Sequence, residues 1–553
     1  MTNAASHPAP TAREPERTQA VLRVLEILLL GALFVAGLQL RIQLAYRYTP
    51  GMDLPVGPDV DDWLGVFWGV THHWPPTWDA EWSRRFPLLA LAGLAGARLC
   101  HAPILVVVQQ IGILAGSTLA PLTYLLGRRI VGRPAALAAA CWMVFQDGLT
   151  SQSVATTAYS LSPPLYLLLL LGLVGLLEEP TRRGAAVIAG VATFLLVTAL
   201  LQGVMILGVT LVALGLVVLP SLWRRPDRLR QAGRLLAPPA LGLAGAVPVL
   251  LAFPCRIEIS PAQLWGRFAE NYHHTWLYEV PVAVRTGYRV ERLLAGTSRL
   301  EHFRLTVSEQ LGLPLSLLLA AVGVMLAMSV ARRHRPGAAG RALLAVLLAG
   351  PAYGWVANSS DFHFFHWFPT LALAITAGLV GWTRFLPGRV LPRALRWALA
   401  VVFVGVLLRP LPPQQPGPAQ HRYSYLRGQY EENAKMARMC QAAAGVVSTR
   451  GTLIVAVEHA WQYRVYMLGG GELVDLRELL PRQERISALP RPVYLLAPLA
   501  DAETTVGQIH LAGTPRLLQR FDRAHLPSFV QEAGLYLVQE RAAVPAPAPT
   551  EEP

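Results

Sequence analysis

Charged residues are scarce in this chain, and several common signatures are missing. Of its 553 residues, 15% are charged and 53% are hydrophobic, and the mean hydropathy of +0.39 excludes an ordinary soluble protein. The four cysteines are far apart and form no CxxC or Cys/His pattern, so they predict no metal centre. The first 19 residues lack the basic start and cleavage site of a signal peptide, and no repeat of fixed period is visible. The composition predicts an integral membrane protein.

Apolar runs recur along the chain and predict membrane spans. About eleven runs of about 14 to 22 residues can be recognised, against the roughly 20 residues that a span needs. If the first run leads outward, the inner connections carry 18 arginines, whereas the outer connections at 148–160 and 358–366 carry none. This asymmetry is the positive-inside pattern. Because it accounts for the net charge of +14, nucleic acid is not an expected partner.

The alternation of inner and outer connections predicts how the chain is organised. After a proline-rich break the apolar runs become as short as strands, which predicts a C-terminal soluble α/β domain on the outer side. The expected fold class is therefore a polytopic α-helical membrane protein with that added domain, multi-pass in a bacterial inner membrane, with a cytoplasmic N-terminus. The predicted parts are a disordered N-terminus at 1–20, a membrane domain at 21–409 with outer loops at 41–103 and 255–310, the α/β domain at 410–541, and a disordered tail at 542–553.

Three acids stand together in the first outer loop: Asp59, Asp61 and Asp62. Carboxylates are costly beside a membrane, and a helix cap would explain one of them but not three. A carboxylate here can act as general base toward an acceptor hydroxyl or amine. Alternatively, Asp59 and Asp61 can hold a divalent cation, Mg²⁺ or Mn²⁺, that neutralises a leaving phosphate. Helical spacing of apolar residues at 61–68 and 86–97 predicts two amphipathic helices on the outer membrane surface.

Cationic side chains for an anionic lipid substrate occur in the later outer segments. Arg285, Arg289 and Arg292 follow one another at spacings of four and three, which places them on one helical face. A solvated surface helix would show the same spacing. His363 and His366, with HxxH spacing at the outer mouth of two spans, are candidates for substrate contact more than for a metal.

Four segments, in their order and spacing, resemble the GT-C glycosyltransferases. The closest resemblance is to the bacterial relatives of protein O-mannosyltransferases and of the lipid A aminoarabinose transferase. It extends over residues 21–219 and, beyond them, only to the general layout. The four segments are Asp59-Val60-Asp61-Asp62, Phe86-Pro87-Leu88-Leu89-Ala90-Leu91, residues 124–136 at the second cytoplasmic turn, and residues 182–190 before the fifth span.

The resemblance implies an inverting transferase that moves a sugar from a polyprenyl-phosphate donor to a lipid, glycan or protein acceptor on the outer face. It assigns the catalytic role to an acid of the first outer loop, with Asp61 ranked before Asp59 and Asp62. It adds Asp147, in the second outer loop, as a candidate substrate-binding carboxylate.

The chain also departs from the family, and two other functions stay open. Many members have an Arg-Tyr pair near the last outer loop, where this chain has His363 and His366. One alternative is a transporter or flippase of a lipid-linked intermediate, with the acids as ion or substrate sites. The other is a non-catalytic assembly protein whose outer domain binds a partner.

Overall fold

The structure is a computed structural model that describes most of the membrane part and most of the C-terminal part of the chain. Asp59, Arg285, Arg289, Arg292 and His363 lie outside the described residues, as do the outer segment 255–310 and the tail 542–553. The described residues are 16–57, 60–72, 88–223, 228–252, 366–381, 390–408 and 418–447 and, with gaps, 340–350 and 451–539.

Apolar helices form the membrane part, as the composition predicts. Among the described residues, four helices are long and apolar enough to cross a membrane: Val21–Tyr48, Ile104–Ile130, Ala158–Glu178 and Leu229–Leu250. The figure of about eleven spans stays a prediction. In chain order the helices are α1 (Glu16–Tyr48), α2 (Val60–His72), α3 (Leu88–Cys100), α4 (Ile104–Ser117), α5 (Leu119–Ile130), α6 (Arg133–Phe145), α7 (Asp147–Val154), a 3₁₀ turn (Ala158–Leu161), α8 (Ser162–Glu178), α9 (Arg183–Ala199), α10 (Leu201–Trp223), α11 (Arg228–Ala252), α12 (Phe368–Gly381) and α13 (Val390–Leu408).

The first helix is longer than its apolar run. It begins at Glu16, within the segment expected to be disordered, and continues to Tyr48, beyond the apolar stretch at 21–40. The added residues, such as Glu16, Arg17 and Gln19, are good helix formers, so the helix continues past both ends of the apolar run.

Small residues allow the membrane helices to pack closely. A Cβ added at Gly172 of α8 would lie 2.6 Å from the backbone nitrogen of Ala189 in α9. A Cβ at Gly127 of α5 would lie 2.8 Å from the Cβ of Ala136 in α6. Close backbone approach of this kind is how helices gain contact area in a bilayer, where lipid tails are as apolar as leucine.

The helix that carries the acidic motif is buried, which differs from the expected surface helix. Trp63, Leu64, Val66, Phe67 and Val70 of α2 are all 0% exposed. They belong to a core shared with α3 on the membrane side and with residues of the C-terminal part on the other side. The apolar spacing predicted the helix correctly. It did not predict that residues of the C-terminal part share one core with α2 and the membrane part.

The C-terminal part contains a mixed five-stranded sheet in the order β2-β1-β3-β5-β4. Strands β1, β2 and β3 are parallel, and β5 runs antiparallel to β3 and β4. The predicted strands at 453–457, 493–496 and 535–538 correspond to β1, β3 and β5, while β2 and β4 were not predicted. The elements are α14 (Pro418–Val446), β1 (Thr452–Val455), β2 (Glu472–Asp475), α15 (Leu476–Leu479), β3 (Val493–Pro498), α16 (Ala502–Gln508), β4 (Arg516–Phe521) and β5 (Ala533–Gln539).

The two faces of this sheet bury different sets of side chains. Leu453, Val455, Leu496 and Leu535 join the core that contains α2 and α14. The alternate residues, such as Ile454, point to a second core on the opposite face. Because strand side chains alternate between faces, one face of the sheet contributes to the core that contains α2 and the other face to a separate core.

Candidate active site

The acidic motif lies where α2 begins. Asp61 and Asp62 occupy the first turn of α2, which starts at Val60, and Asp59 precedes the described helix. A helix N-terminus favours negative charge, because its free N–H groups point outward along the helix dipole. The position of these acids is therefore set by the loop that leads into α2, residues 49–57.

Side chains of the membrane part hold the beginning of this loop. The Gln109 side-chain amide of α4 donates to Thr49 Oγ1 at 2.8 Å and to the carbonyl of Val154, the last residue of α7, at 2.7 Å. Gln109 and Thr49 are both 0% exposed. A buried amide that bridges two elements fixes their spacing, because breaking either bond would leave a buried polar atom without a partner.

The end of the loop is held by Thr156, which follows α7. The backbone N–H of Val56 donates to Thr156 Oγ1 at 2.9 Å, and the backbone N–H of Thr156 donates to the carbonyl of Val56 at 2.8 Å. Thr156 is 0% exposed. The loop before α2 and the segment after α7 are thus joined directly, next to the residues that precede the acidic motif.

Three side chains of α14 hold the same loop from the C-terminal part. Gln429 Oε1 accepts a hydrogen bond from the N–H of Gly57 at 2.8 Å, and its Nε2 donates to the Gly57 carbonyl at 3.2 Å. Asn433 Nδ2 donates to the carbonyl of Pro55 at 2.5 Å. The hydroxyl of Tyr430 accepts from the N–H of Gly51 at 2.9 Å. No short motif marked these residues in the sequence, so their role was missed.

The last described residue before the acids is a position that needs glycine. Gly57 has φ +119°, a backbone conformation that L side chains rarely adopt. An added Cβ would lie 2.7 Å from the Cβ of Ala155 and 3.3 Å from Cγ2 of Thr157. The chain therefore turns into α2 against residues 155–157, and only a residue without a Cβ permits that approach.

Tyr430 brings a titratable group to the loop. Its hydroxyl also donates to Asp53 Oδ1 at 3.3 Å. Burial raises the pKa of Tyr430 above its ordinary value of 10.0, the hydrogen bond from Gly51 opposes the rise, and the carboxylate of Asp53 adds to it. The phenol is therefore neutral at physiological pH and can both donate and accept.

Two of the other predicted residues, Asp147 and His366, are among the residues that the structure describes. Asp147 is the first residue of α7, the helix whose last residue, Val154, shares Gln109 with the loop. His366 is buried, at 3% exposure, and its ring lies edge-on to Tyr166 of α8, with 5.1 Å between the ring centroids.

A buried arginine extends the polar region into the membrane part. Arg41 of α1 is 1% exposed, and its Nη1 donates to the carbonyl of Gly37 at 3.1 Å. Gly116 of α4 leaves room for it, since a Cβ there would lie 2.7 Å from Arg41 Nε and would also contact the Ser153 hydroxyl. Ionisable groups in membrane helices are expensive and commonly mark functional regions. The sequence analysis did not single out Arg41.

Solved structures with the same architecture identify the fold. ArnT from Cupriavidus metallidurans, bound to undecaprenyl phosphate, is 14% identical and matches over 95% of this chain and 99% of its own, with a TM-score of 0.56. The chain has the fold of the GT-C glycosyltransferases. At this level of identity, the match establishes the GT-C fold and not the reaction. No family model and no curated protein sequence matches the chain, so the assignment rests on structure.

Solved structures of an archaeal oligosaccharyltransferase also match the fold of this chain. The oligosaccharyltransferase from Archaeoglobus fulgidus in complex with Zn and sulfate is 12% identical, with 92% of this chain and 73% of that chain covered and a TM-score of 0.55. The AglB oligosaccharyltransferase of the same organism, in complex with an inhibitory peptide and a dolichol-phosphate, is 11% identical, with coverages of 95% and 75% and a TM-score of 0.53. The GT-C fold that the sequence resemblance implied is confirmed.

A metal site stays a prediction for this chain. Among the side chains that the structure describes, no three His, Cys, Asp or Glu residues form a group that could hold a metal ion. The side chains of Asp59, Asp61 and Asp62 are not among those described. Their carboxylates are hard oxygen ligands of the kind that Mg²⁺ and Mn²⁺ prefer, so the donor set fits a divalent cation chemically.

Proposed function

We propose that this chain transfers a sugar from a polyprenyl-phosphate donor to an acceptor on the outer face of the membrane. The observation that carries the proposal is the acidic motif at the start of α2, on a loop fixed from two sides, in a chain that matches ArnT over 95% of its length. A lipid-linked phosphosugar is an anion anchored at the interface, so its enzyme needs a positioned acid beside the bilayer.

In the proposed reaction, one acid of the loop takes a proton from the acceptor. The acceptor hydroxyl or amine attacks the anomeric carbon, and the bond between that carbon and the phosphate oxygen breaks. The polyprenyl phosphate leaves with the bonding electron pair, the acceptor proton passes to the carboxylate, and the anomeric configuration is inverted. Asp61 is the first candidate for the base, followed by Asp59 and Asp62.

The remaining predicted residues are assigned to the donor and acceptor. We assign Arg285, Arg289, Arg292 and His363 to the phosphate of the carrier, because guanidinium groups bind phosphate oxygens in pairs. His366 and Asp147 are proposed to line the same outer region. In the alternative to the base mechanism, Asp59 and Asp61 would hold a divalent cation that supplies positive charge to the leaving phosphate.

Exchange of the acids for amides tests the proposal. In the double variant Asp61→Asn/Asp62→Asn, transfer of a labelled sugar from a polyprenyl-phosphate donor should fall by about a hundredfold or more, while thermal unfolding stays unchanged. Asp501→Asn, at the start of α16 in the C-terminal sheet domain, is the matched control and should retain activity. Wild-type turnover in the double variant would refute the assignment.

The same preparation in liposomes separates the transferase from a flippase. Transfer of the label to an acceptor without net movement of carrier between leaflets supports the enzyme, whereas carrier movement without transfer supports transport. The topology, with a cytoplasmic N-terminus and an extracytoplasmic C-terminal domain in a bacterial inner membrane, is part of the proposal. Reporter fusions at the C-terminus would test it.

A further inference from the structure

A groove lies between α9 and α11, away from the acidic loop. Its volume is about 650 Å³, and it is bounded by the end of α8, the first half of α9 and the middle of α11. The opposite end of α9 approaches α2, since Ala199 belongs to the core that contains Trp63. The groove is therefore on the other side of the membrane part from the proposed reaction.

Three arginines surround one end of the groove: Arg182, Arg183 and Arg234. The neighbouring acids are engaged elsewhere, because Glu178 lies 3.7 Å from Arg129 and Glu179 accepts from the Thr181 hydroxyl at 3.5 Å. Among the described residues, no ion pair neutralises any of the three arginines. Both α9 and α11 also begin at this end, so their positive helix N-termini add to the charge.

The rest of the groove is apolar and open to the side. Val187, Val191 and Leu241 line it and are 63%, 52% and 72% exposed, which in a membrane helix means exposure to lipid. Gly190 and Gly242 form its floor, where the two helices approach each other so closely that an added side chain on Gly242 would collide with the Gly190 carbonyl. A channel with smooth apolar walls and small residues at its base has the shape that an acyl chain fills.

We propose that this groove is a binding site for an anionic phospholipid of the leaflet at the arginine end. The phosphodiester contacts Arg182, Arg183 and Arg234, and one acyl chain lies along Val187 and Val191 toward Phe194. Charge complementarity selects the ligand: a zwitterionic lipid would bring an ammonium group to a cluster of three guanidinium groups, and an anionic lipid such as phosphatidylglycerol brings none. The proposal does not rest on the proposed transferase activity.

The positive-inside rule alone would also explain arginines at these positions. The experiment must therefore separate a specific lipid-binding site from a general attraction of basic loops to anionic lipid. The full-length protein, purified in mild detergent, is titrated with dioleoyl phosphatidylglycerol or dioleoyl phosphatidylcholine, and bound lipid is counted by native mass spectrometry. Wild type should retain the anionic lipid about tenfold more strongly than the zwitterionic one. The triple variant Arg182→Gln/Arg183→Gln/Arg234→Gln should lose that preference. The matched control, Arg23→Gln/Arg393→Gln/Arg396→Gln, removes the same charge on α1 and α13, away from the groove, and should keep it.

A second variant tests the acyl chain without changing charge. Val191→Trp fills the groove from a lipid-exposed position, so it should expel the bound lipid while the protein still unfolds at its normal temperature. Glycerol phosphate at millimolar concentration should not compete, because it has no chain to occupy the groove; competition would instead indicate a site for free phosphate. Equal retention of both lipids by wild type, or equal loss in both triple variants, would overturn the proposal.

Discussion

Gln429 holds Gly57 through both ends of its side-chain amide, accepting from the glycine N–H and donating to its carbonyl. The two residues are 372 positions apart, and the contact joins the C-terminal part to the loop that leads into the acidic motif. A glutamine that pairs with both backbone groups of one residue replaces a sheet partner, and it fixes that residue in position and orientation.

Loss of the two hydrogen bonds between Gln429 and Gly57 should affect turnover more than donor binding. In Gln429→Leu, two hydrogen bonds of about 1 kcal/mol each disappear, so kcat should fall by about tenfold while KM for the donor changes by less than about twofold. Arg427→Gln is the control on the same helix. Arg427 forms only an exposed i,i+4 pair with Glu431, which contributes little, and its loss should leave both constants unchanged. An equal change in kcat for both variants would argue against positioning by Gln429.

The buried pair of Asn433 and Tyr463 should contribute to stability. Asn433 is 6% exposed, donates to the Pro55 carbonyl and accepts from the Tyr463 hydroxyl at 2.6 Å. Asn433→Leu removes two hydrogen bonds from a buried site, so the free energy of unfolding should fall by about 2 to 4 kcal/mol. Thermal or denaturant unfolding in detergent measures the loss.

A double-mutant cycle then tests whether the two residues act as a pair. Tyr463→Phe and Asn433→Leu each remove the same hydrogen bond, so the double variant should be more stable than the sum of the single losses predicts. Strict additivity of the two losses would contradict the coupling.

Gly57 should not tolerate a side chain. Gly57→Ala must place a Cβ 2.7 Å from the Cβ of Ala155, and the alanine must adopt φ +119°. Both the steric clash and the backbone strain should distort the start of α2. We expect lower stability and a large loss of transfer activity. Gly428→Ala, where a Cβ meets nothing within 4 Å, is the control and should be neutral or slightly stabilising. Ala155→Gly combined with Gly57→Ala should restore only part of the loss, because it removes the contact and leaves the strained backbone.

The docking of α14 should be insensitive to pH near neutrality and weaken in alkali. Because the pKa of Tyr430 is raised above its ordinary value of 10.0, its contribution is complete below that value and is lost as pH rises through the higher folded pKa. The phenolate would then face the Asp53 carboxylate and could no longer donate to it. Hydrogen exchange at Gly51, followed from pH 7 upward, measures the change, and Tyr430→Phe should lack the alkaline transition. A transition of equal size in Tyr430→Phe would assign it to another group.

Several features could be predicted from the sequence because they depend on local composition. Apolar runs predict membrane helices wherever they occur, since a bilayer demands internally satisfied backbone hydrogen bonds. The short apolar runs that became β1, β3 and β5 predict strands because apolar side chains on both faces of a strand require burial between two cores. By contrast, β4, Arg516–Phe521, is mostly exposed at the edge of the sheet, so its charged residues hid it from a pattern based on burial.

By itself, the sequence determined the helical membrane class, the acidic motif and its resemblance to GT-C enzymes. Three carboxylates beside a membrane helix can be recognised without knowing the fold, because a charged group close to lipid is costly wherever the rest of the chain lies. Only the tertiary structure decided what holds them: Gln109, Thr156, Gln429 and Asn433 are ordinary polar residues that acquire a role when distant segments meet at one loop. A hydrogen bond between residues hundreds of positions apart leaves no local periodicity to read, and burial, which makes each bond count, exists only once the chain has folded.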